Sequence, residues 1–394
     1  MKKKIVVMGF MLRCPIAGVT WQCLHYIVGL QRLGFDVYYL EDAARLLYDA
    51  ETVKATENAA HVVRFAQKLS DRYGFKWGLR SSFQNPPETF GCERRVFEET
   101  LQTAEAVFNI CGVQDIPEFT KTRCLVYVES DPGLEQILLA KGDQETINYL
   151  KAHHIHFTFG EKIGRPDCPL PSFNGIQWRP TRQPIVLDFW ENPPLSQNLE
   201  KFRFTTITNW RPRGKDVEWN NEMYYWTKHF EFLKFSPVPQ VLRSSVPITW
   251  ELAVALNNDP SSRTTMEKNG WALVRPQAIS IDPEEYRNYI FQSDAEWTVA
   301  KDQYVRLNAG WFSDRSACYL AAGRPVITQE TGFSDVLPVG EGLFSFRTVD
   351  DIQTAVDKIL SNPKKHSDAA RDIAKEYFDA EKVCRKMVQE IGLI

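Results

Sequence analysis

The stretch SDAEWTVAKDQYVRLNAGWFSDRSACYLAAGRPVITQETGFSD, Ser293 to Asp335, decides the fold. Glu296 to Ala300 (EWTVA) and Pro325 to Thr328 (PVIT) are short apolar runs that read as strands. Between them, Ser313 to Ala322 reads as a helix, with Ser313 and Asp314 offering an N-cap and Gly323 a stop. Gly323 and Pro325 force a sharp return into the next strand. A strand, loop, helix, tight turn and strand make the repeating unit of a parallel sheet. The helix start carries free N–H groups and a positive dipole end, which suit an anion and phosphate above all. Ser313, Asp314, Arg315 and Ser316 stand at that start, and Lys301, directly after the first strand, adds positive charge on the same side. Gly332 opens the following loop and allows close backbone approach to a ligand, while Asp335 can accept hydrogen bonds from hydroxyls.

The same alternation extends upstream. Arg203 to Asn209 (RFTTITN) and Trp271 to Val274 read as strands, and Glu251 to Leu256 fits a helix or a strand. At the far N-terminus, Lys4 to Phe10 (KIVVMGF) is a continuous apolar run expected of a strand buried on both faces. A helix from about Gly18 to Leu33 follows, with Trp21, Leu24, Ile27, Val28 and Leu30 on one face and Gly34 as its cap. Phe35 to Leu40 (FDVYYL) is the next strand, so the chain opens on a βαβ unit. Ala106 to Ile110, Cys124 to Val128 and His156 to Phe159 continue the pattern. Residues 165 to 200 carry Pro166, Pro169, Pro171, Pro180, Pro184, Pro193 and Pro194 and read as a connection between two α/β blocks. Asp350 to Leu360 is a helix, and 364 to 390 form a last helical region.

A length of 394 residues suggests two or three domains at roughly 150 residues each. With 43% hydrophobic and 25% charged residues, the composition excludes a disordered chain, and 21 glycines without period exclude a collagen-like one. The net charge of -3 does not point to nucleic acid as a partner, although it leaves nucleic acid open as an acceptor. Aromatic residues reach 12%, a density that lines large cores and also sugar or base clefts. None of the eight cysteines stands at C-x-x-C spacing, so no zinc site is expected. The opening MKKKIVVMGFML has the basic start of a signal peptide, but Arg13, Cys14 and Pro15 interrupt the apolar run and no small-residue cleavage site follows. A cytoplasmic location with reduced thiols is expected, and no window is long and apolar enough for a membrane span.

Over residues 293–335 the sequence resembles the donor half of nucleotide-sugar glycosyltransferases of the two-domain GT-B fold. LAAGRPVI at Leu320 to Ile327 is similar to that family's ACGRPV-type turn, and TGFSD stands where the family often has GGxPE. The nearest branch is the group 1 or CgeB-like one, and the first βαβ unit (GFMLRCPIAGVTWQCLHYIVGLQRLGFDVYYLED) is also similar to its counterpart there. The resemblance implies two doubly wound Rossmann-like domains facing a cleft. Residues 1–190 would form the acceptor domain, 200–365 the donor domain, and 366–394 a helical region returning to the first. It implies transfer of a hexose from a nucleotide-diphosphate donor without metal or other cofactor, the helix dipole and basic residues serving in place of a cation. It also puts the loop NWRPRGKDVEW, with Arg211, Arg213 and Lys215, near the donor diphosphate, where Lys228 can assist. Many retaining members carry two glutamates eight positions apart. Gly310 and Cys318 hold those positions here, so the stereochemistry stays open.

An inverting transfer needs one base to take the acceptor proton. Ligands of open α/β sheets sit beyond the carboxyl ends of strands, where the acids are Glu41 and Asp42, Glu129 and Asp131, and Glu161; the candidates for the base are Asp131 first, then Glu129 and Glu161. Arg13 and Gly18, in the loop after the first strand, can line the acceptor side. His25 reads as a packed helix residue, and His153, His154 and His156 lack the acidic or thiol partners of a metal site. Two other functions fit the same fold: a nucleotide-sugar 2-epimerase, and a catalytically silent nucleotide-sugar-binding protein. A nicotinamide-dependent dehydrogenase does not fit, because no G-x-G-x-x-G follows the first strand.

Overall fold

The computed structural model describes residues 2–196, 200–212, 214–256 and 258–394. Eight strands make the first sheet or its edge, and two more form a small hairpin beside it. In chain order these are β1 Lys4–Met8, β2 Asp36–Asp42, the hairpin β3 Leu47–Asp49 and β4 Lys54–Thr56, β5 Lys76–Ser81, β6 Glu88–Phe90, β7 Ala106–Ile110, β8 Leu125–Glu129, β9 Ile155–Thr158 and β10 Trp178–Pro180. The second half contains β11 Phe202–Thr208, the hairpin β12 Val217–Trp219 and β13 Glu222–Tyr224, β14 Ile248–Val254, β15 Ala272–Val274, β16 Ala295–Thr298, β17 Val326–Gln329 and β18 Leu343–Phe346.

The first sheet has the order β10-β9-β8-β7-β1-β2-β5-β6, parallel except for β6 at its edge. The second has the order β15-β14-β11-β16-β17-β18 and is parallel throughout. Strands β7, β8, β16 and β17 are buried along their whole length, as helices on both faces of a parallel sheet require. In each sheet the chain winds outward one way, then returns and winds the other way. The reversal falls between β1 and β7 in the first sheet and between β11 and β16 in the second. Both halves are doubly wound α/β units, and together they are the GT-B arrangement.

Two expectations change in detail. The segment Glu251 to Leu256 resolves as strand: β14 pairs with β11 over seven residues, from Phe202 opposite Ile248 to Thr208 opposite Val254. The Pro-rich stretch is not all connection, because Trp178 to Pro180 adds to the edge of the first sheet beside β9. The crossing itself is tied down. Ile185 donates to the carbonyl of Phe378 at 2.6 Å, and Ala380 donates back to Ile185 at 2.9 Å. The last helix, Ala380–Glu390, lies against the first, Ala17–Arg32. Gly29 permits that approach, since a Cβ there would stand 3.0 Å from the Cys384 sulfur and 3.1 Å from the Ala380 Cβ. No described helix is long and apolar enough to cross a membrane.

Candidate functional site

A cleft of ≈ 450 Å³ opens where the two reversals face each other. Phe10, after β1, and Cys111, after β7, reach it from the first sheet; Asn209, after β11, and Lys301, after β16, reach it from the second. The crevice beyond the strand ends at such a reversal is where open α/β sheets bind ligands, and here two of them share one space. The first helix supplies Gly18 and Gln22 to the wall, and the helix Asp314–Ala321 supplies its own start.

Asp131 stands on the floor, just past β8. Its Oδ1 accepts from the Lys301 amine at 2.7 Å and from the Tyr304 hydroxyl. Burial works against its charge, but Lys301 and Lys215 outweigh burial and hold the carboxyl well below the usual carboxylate range. Lys301 comes from the other half, so this ion pair spans the cleft; its ammonium also lies 3.8 Å from the centroid of the Trp226 ring. Burial pulls the Lys301 amine down, and Asp131 partly restores it.

Lys228 is 7% exposed and lines the same wall. No hydrogen bond or ion pair to its amine is found among the described residues. Burial pushes the amine well below the usual lysine range, and Arg315 and Lys301 push it further the same way. Ser313 is the N-cap of the Asp314–Ala321 helix, and its side chain makes no capping bond. Asp314, the first helical residue, accepts from the Gln22 side chain at 3.3 Å, and burial with the nearby Asp131 charge raises its carboxyl to about 7. Lys301 and a helix start therefore converge with an amine that has no anionic partner among the described residues, an arrangement suited to a charged anion.

Among the residues singled out in the sequence, the structure brings Asp131, Lys228, Lys301, Ser313, Asp314, Arg315 and Gly18 to this cleft. It uses Arg315 differently from the expected ligand contact. Its guanidinium donates to fully buried Glu296, to the Ile207 carbonyl at 2.7 Å and to the Thr298 hydroxyl at 2.9 Å. A carboxylate buried at the centre of the sheet requires that counter-ion, and the need turns the arginine inward.

The other candidate acids lie elsewhere. Glu129 is sealed beneath the floor, accepting from Gln136 at 2.8 Å and Thr158 at 2.5 Å, and burial beside Glu135 raises it to about 8. Glu161 is paired with Arg182 at 2.6 Å. Asp335 reaches Lys162 at 2.5 Å instead of the cleft, because its loop lies on the rim between the halves. Gly332 does bring backbone close, but to Asn308: a Cβ there would stand 2.7 Å from the Asn308 carbonyl oxygen at φ 90°. Ser316 is wholly buried. Arg211 pairs with Asp259 at 3.0 Å, Lys215 lies 3.9 Å from Glu135, and Arg213 lies outside the described residues. Arg13 is not among the residues that line the cleft, and its amide donates to Glu41 Oε1 at 2.6 Å.

Trp311, Tyr286 and Gln22 also line the cleft and carried no usable signal, since nothing marks one helix or loop aromatic as facing a cleft before the halves are assembled. The residues following β1 and β7 were findable, as the first positions past adjacent buried strands. His153, His154 and His156 serve local structure: the His156 ring bonds the Leu150 carbonyl and His154 accepts from the Leu125 amide. No group of three or more His, Cys, Asp or Glu among the described residues can hold a metal ion.

No protein-family model matches the chain, and no characterised protein matches it in sequence. Solved structures do match along its whole length. A glycosyltransferase from Rickettsia africae aligns over 99% of this chain and 97% of its own, with TM-score 0.59 and 10% identity. HepE from Anabaena, solved with UDP and glucose, aligns over 100% of both chains with TM-score 0.56 and 10% identity. Sucrose-phosphate synthase from Thermosynechococcus elongatus aligns over 99% and 98%, with TM-score 0.55 and 11% identity. An α-glucosyltransferase solved with UDP and a DNA 13-mer aligns over 99% and 100%, with TM-score 0.55 and 10% identity. What this chain shares with these glycosyltransferases is the GT-B fold, two doubly wound halves closed on one cleft.

Proposed function

We propose that the chain transfers a sugar, a hexose, from a nucleoside-diphosphate donor to an acceptor hydroxyl, and that its cleft does so without a metal ion. The observation that carries this reading is the Lys228 amine, without an anionic partner among the described residues, beside Lys301 and the start of the Asp314–Ala321 helix, at the reversal of the second sheet. The solved structures with UDP in the same fold support a uridine donor. LAAGRPVI and the full-length GT-B likeness support placement in the group 1 or CgeB-like branch, with residues 1–190 as the acceptor side, 200–365 as the donor side and 366–394 returning to the first. The free cysteines support a cytoplasmic enzyme.

In this reading the diphosphate lies between Lys228 and the amides that follow Ser313, with Asp314 and Arg315 shaping that end. Diphosphate draws Lys301 toward itself and so releases Asp131 from the contact that holds its proton affinity low. The acceptor hydroxyl gives its proton to Asp131, its oxygen bonds to the anomeric carbon, and the bond from that carbon to the diphosphate oxygen breaks. The electron pair leaves with the diphosphate, and the cations and helix start stabilise the charge. Arg315 acts through Glu296 by fixing the helix start against β16.

Incubating the protein with UDP-glucose alone and with a panel of hydroxyl acceptors tests the reading. Product carrying glucose, formed only with acceptor, is expected. Conversion of the nucleotide sugar without acceptor would make it an epimerase, and tight UDP-sugar binding with no conversion would make it a binding protein.

A further inference from the structure

The loop between β1 and the first helix places four successive backbone N–H groups under internal control. Met11 donates to the Tyr39 hydroxyl at 3.0 Å, Leu12 to Glu41 Oε2 at 2.9 Å, Arg13 to Glu41 Oε1 at 2.6 Å, and Cys14 to the Phe10 carbonyl at 2.9 Å. Tyr39 in turn donates to Glu41 Oε2 at 2.5 Å. Glu41 lies at the end of β2 and is fully buried. In a doubly wound half this turn, between the first strand and its helix, is where backbone amides ordinarily cradle a ligand's phosphate. Here the cradle is occupied by the protein's own carboxylate.

We propose that Glu41 is a positioning residue that serves as an internal anion, folding residues 11–14 around itself and thereby setting the first half's wall of the cleft. One side of the loop closes on the carboxylate, and Phe10, Cys14 and Ile16 line the cleft from the same short segment. The groups facing Glu41 are Tyr39 from β2, Arg13 and Cys14 from the loop, and Cys23 from the first helix. Burial raises its carboxyl to about 7 against the pull of the three donors, so the site holds the charge at a cost that the loop bonds offset. The loop also holds its neighbour: Tyr48 donates to the Arg13 carbonyl at 2.8 Å.

The consequence for turnover rests on the glycosyl-transfer reading, whereas the consequence for the loop does not. Glu41→Ala removes a piece the size of acetate, so acetate is the rescuing probe. The rate at which iodoacetamide modifies Cys14, read by peptide mass spectrometry over a pH series and expressed per thiolate, reports the loop, since the series separates access to the sulfur from the change in its ionisation that loss of the Glu41 charge itself causes. Glu41→Ala is expected to raise that rate roughly tenfold, the factor lost with charge-assisted hydrogen bonds of this kind, and acetate is expected to bring it back down. With UDP-glucose and an accepted acceptor, the same variant raises the acceptor KM more than it lowers kcat, again with rescue by acetate. If Glu41→Ala does not fold, Glu41→Gln, which keeps one accepting oxygen, takes its place and shows an intermediate rise. Cys14 modification equal to the parent's in the variant, or a raised rate that acetate leaves untouched, overturns the proposal. If the parent moves no sugar while Cys14 responds as stated, only the glycosyl-transfer reading fails.

Discussion

Each half brings a strand-to-helix connection to the cleft from beside its chain reversal, the first half after β1 and the second after β16, and the two are used in opposite ways. In the first half, the amides after β1 close on Glu41, Tyr39 and Phe10, and the neighbouring His25 ring accepts from Trp190 at 3.0 Å. The amides of that loop are bonded within the protein. In the second half, the helix Asp314–Ala321 begins with an N-cap whose side chain makes no capping bond, and Lys228 beside it has no anionic partner among the described residues. Of these two connections on one cleft, one has closed on the protein's own carboxylate and the other is left facing the cleft. The satisfied turn gives a rigid wall, and the unsatisfied one gives affinity for a charged ligand.

The contrast can be broken at several points. The largest effect belongs to Asp131, the candidate base that lines the cleft. Asp131→Asn is expected to lower turnover by roughly 10²- to 10⁴-fold while UDP affinity changes little, as initial rates and UDP titration together reveal. A loss of UDP affinity as large as the loss of rate would move Asp131 out of the proton-transfer role. Next comes Arg315, which belongs to the satisfied class although it sits at the unsatisfied turn. Arg315→Ala leaves Glu296 alone in the sheet and is expected to cost about 3–5 kcal/mol of stability by denaturant unfolding. Arg315→Met combined with Glu296→Gln should recover part of that loss; no recovery would detach the arginine from Glu296.

A smaller effect tests the first wall. Burial lowers the His25 imidazole to about 3, far below its value in an unfolded chain. The unfolded state therefore takes up the proton first as pH falls. The stability His25 supports is complete above about pH 6.5 and declines toward pH 3, by about 2 kcal/mol at pH 5. The slope of unfolding free energy against pH between 6.5 and 5 should flatten in His25→Gln, and an unchanged slope would assign the acid sensitivity to another group.

Much of this was legible in the sequence. Runs such as KIVVM and AVFNI read as strands buried on both faces, and Gly323 with Pro325 marks the return after the helix at the cleft. Asp131 was legible because it follows a buried strand directly. Other parts were hidden for physical reasons. The strand KWGLRS, Lys76–Ser81, contains a charge in its interior that only the pairing of Arg80 with Asp42 and Glu118 makes tolerable. Arg315 looked like a ligand contact because Glu296, its partner, lies in a run that reads as apolar. Glu41 was visible as an acid at a strand end, but its role depends on a loop that folds around it only in three dimensions.

The claim that the second turn is the open anion site is tested most directly by calorimetric titration of UDP into the parent and into Lys228→Met, in two buffers of different ionisation enthalpy. The Lys228 amine is depressed before the ligand arrives and regains its proton against the diphosphate. The parent is therefore expected to bind UDP much more tightly than uridine and to take up a proton from buffer as it does so. Lys228→Met is expected to bind UDP roughly 10- to 100-fold more weakly, with the proton uptake gone. Equal affinity and equal proton uptake in the two proteins would contradict the account.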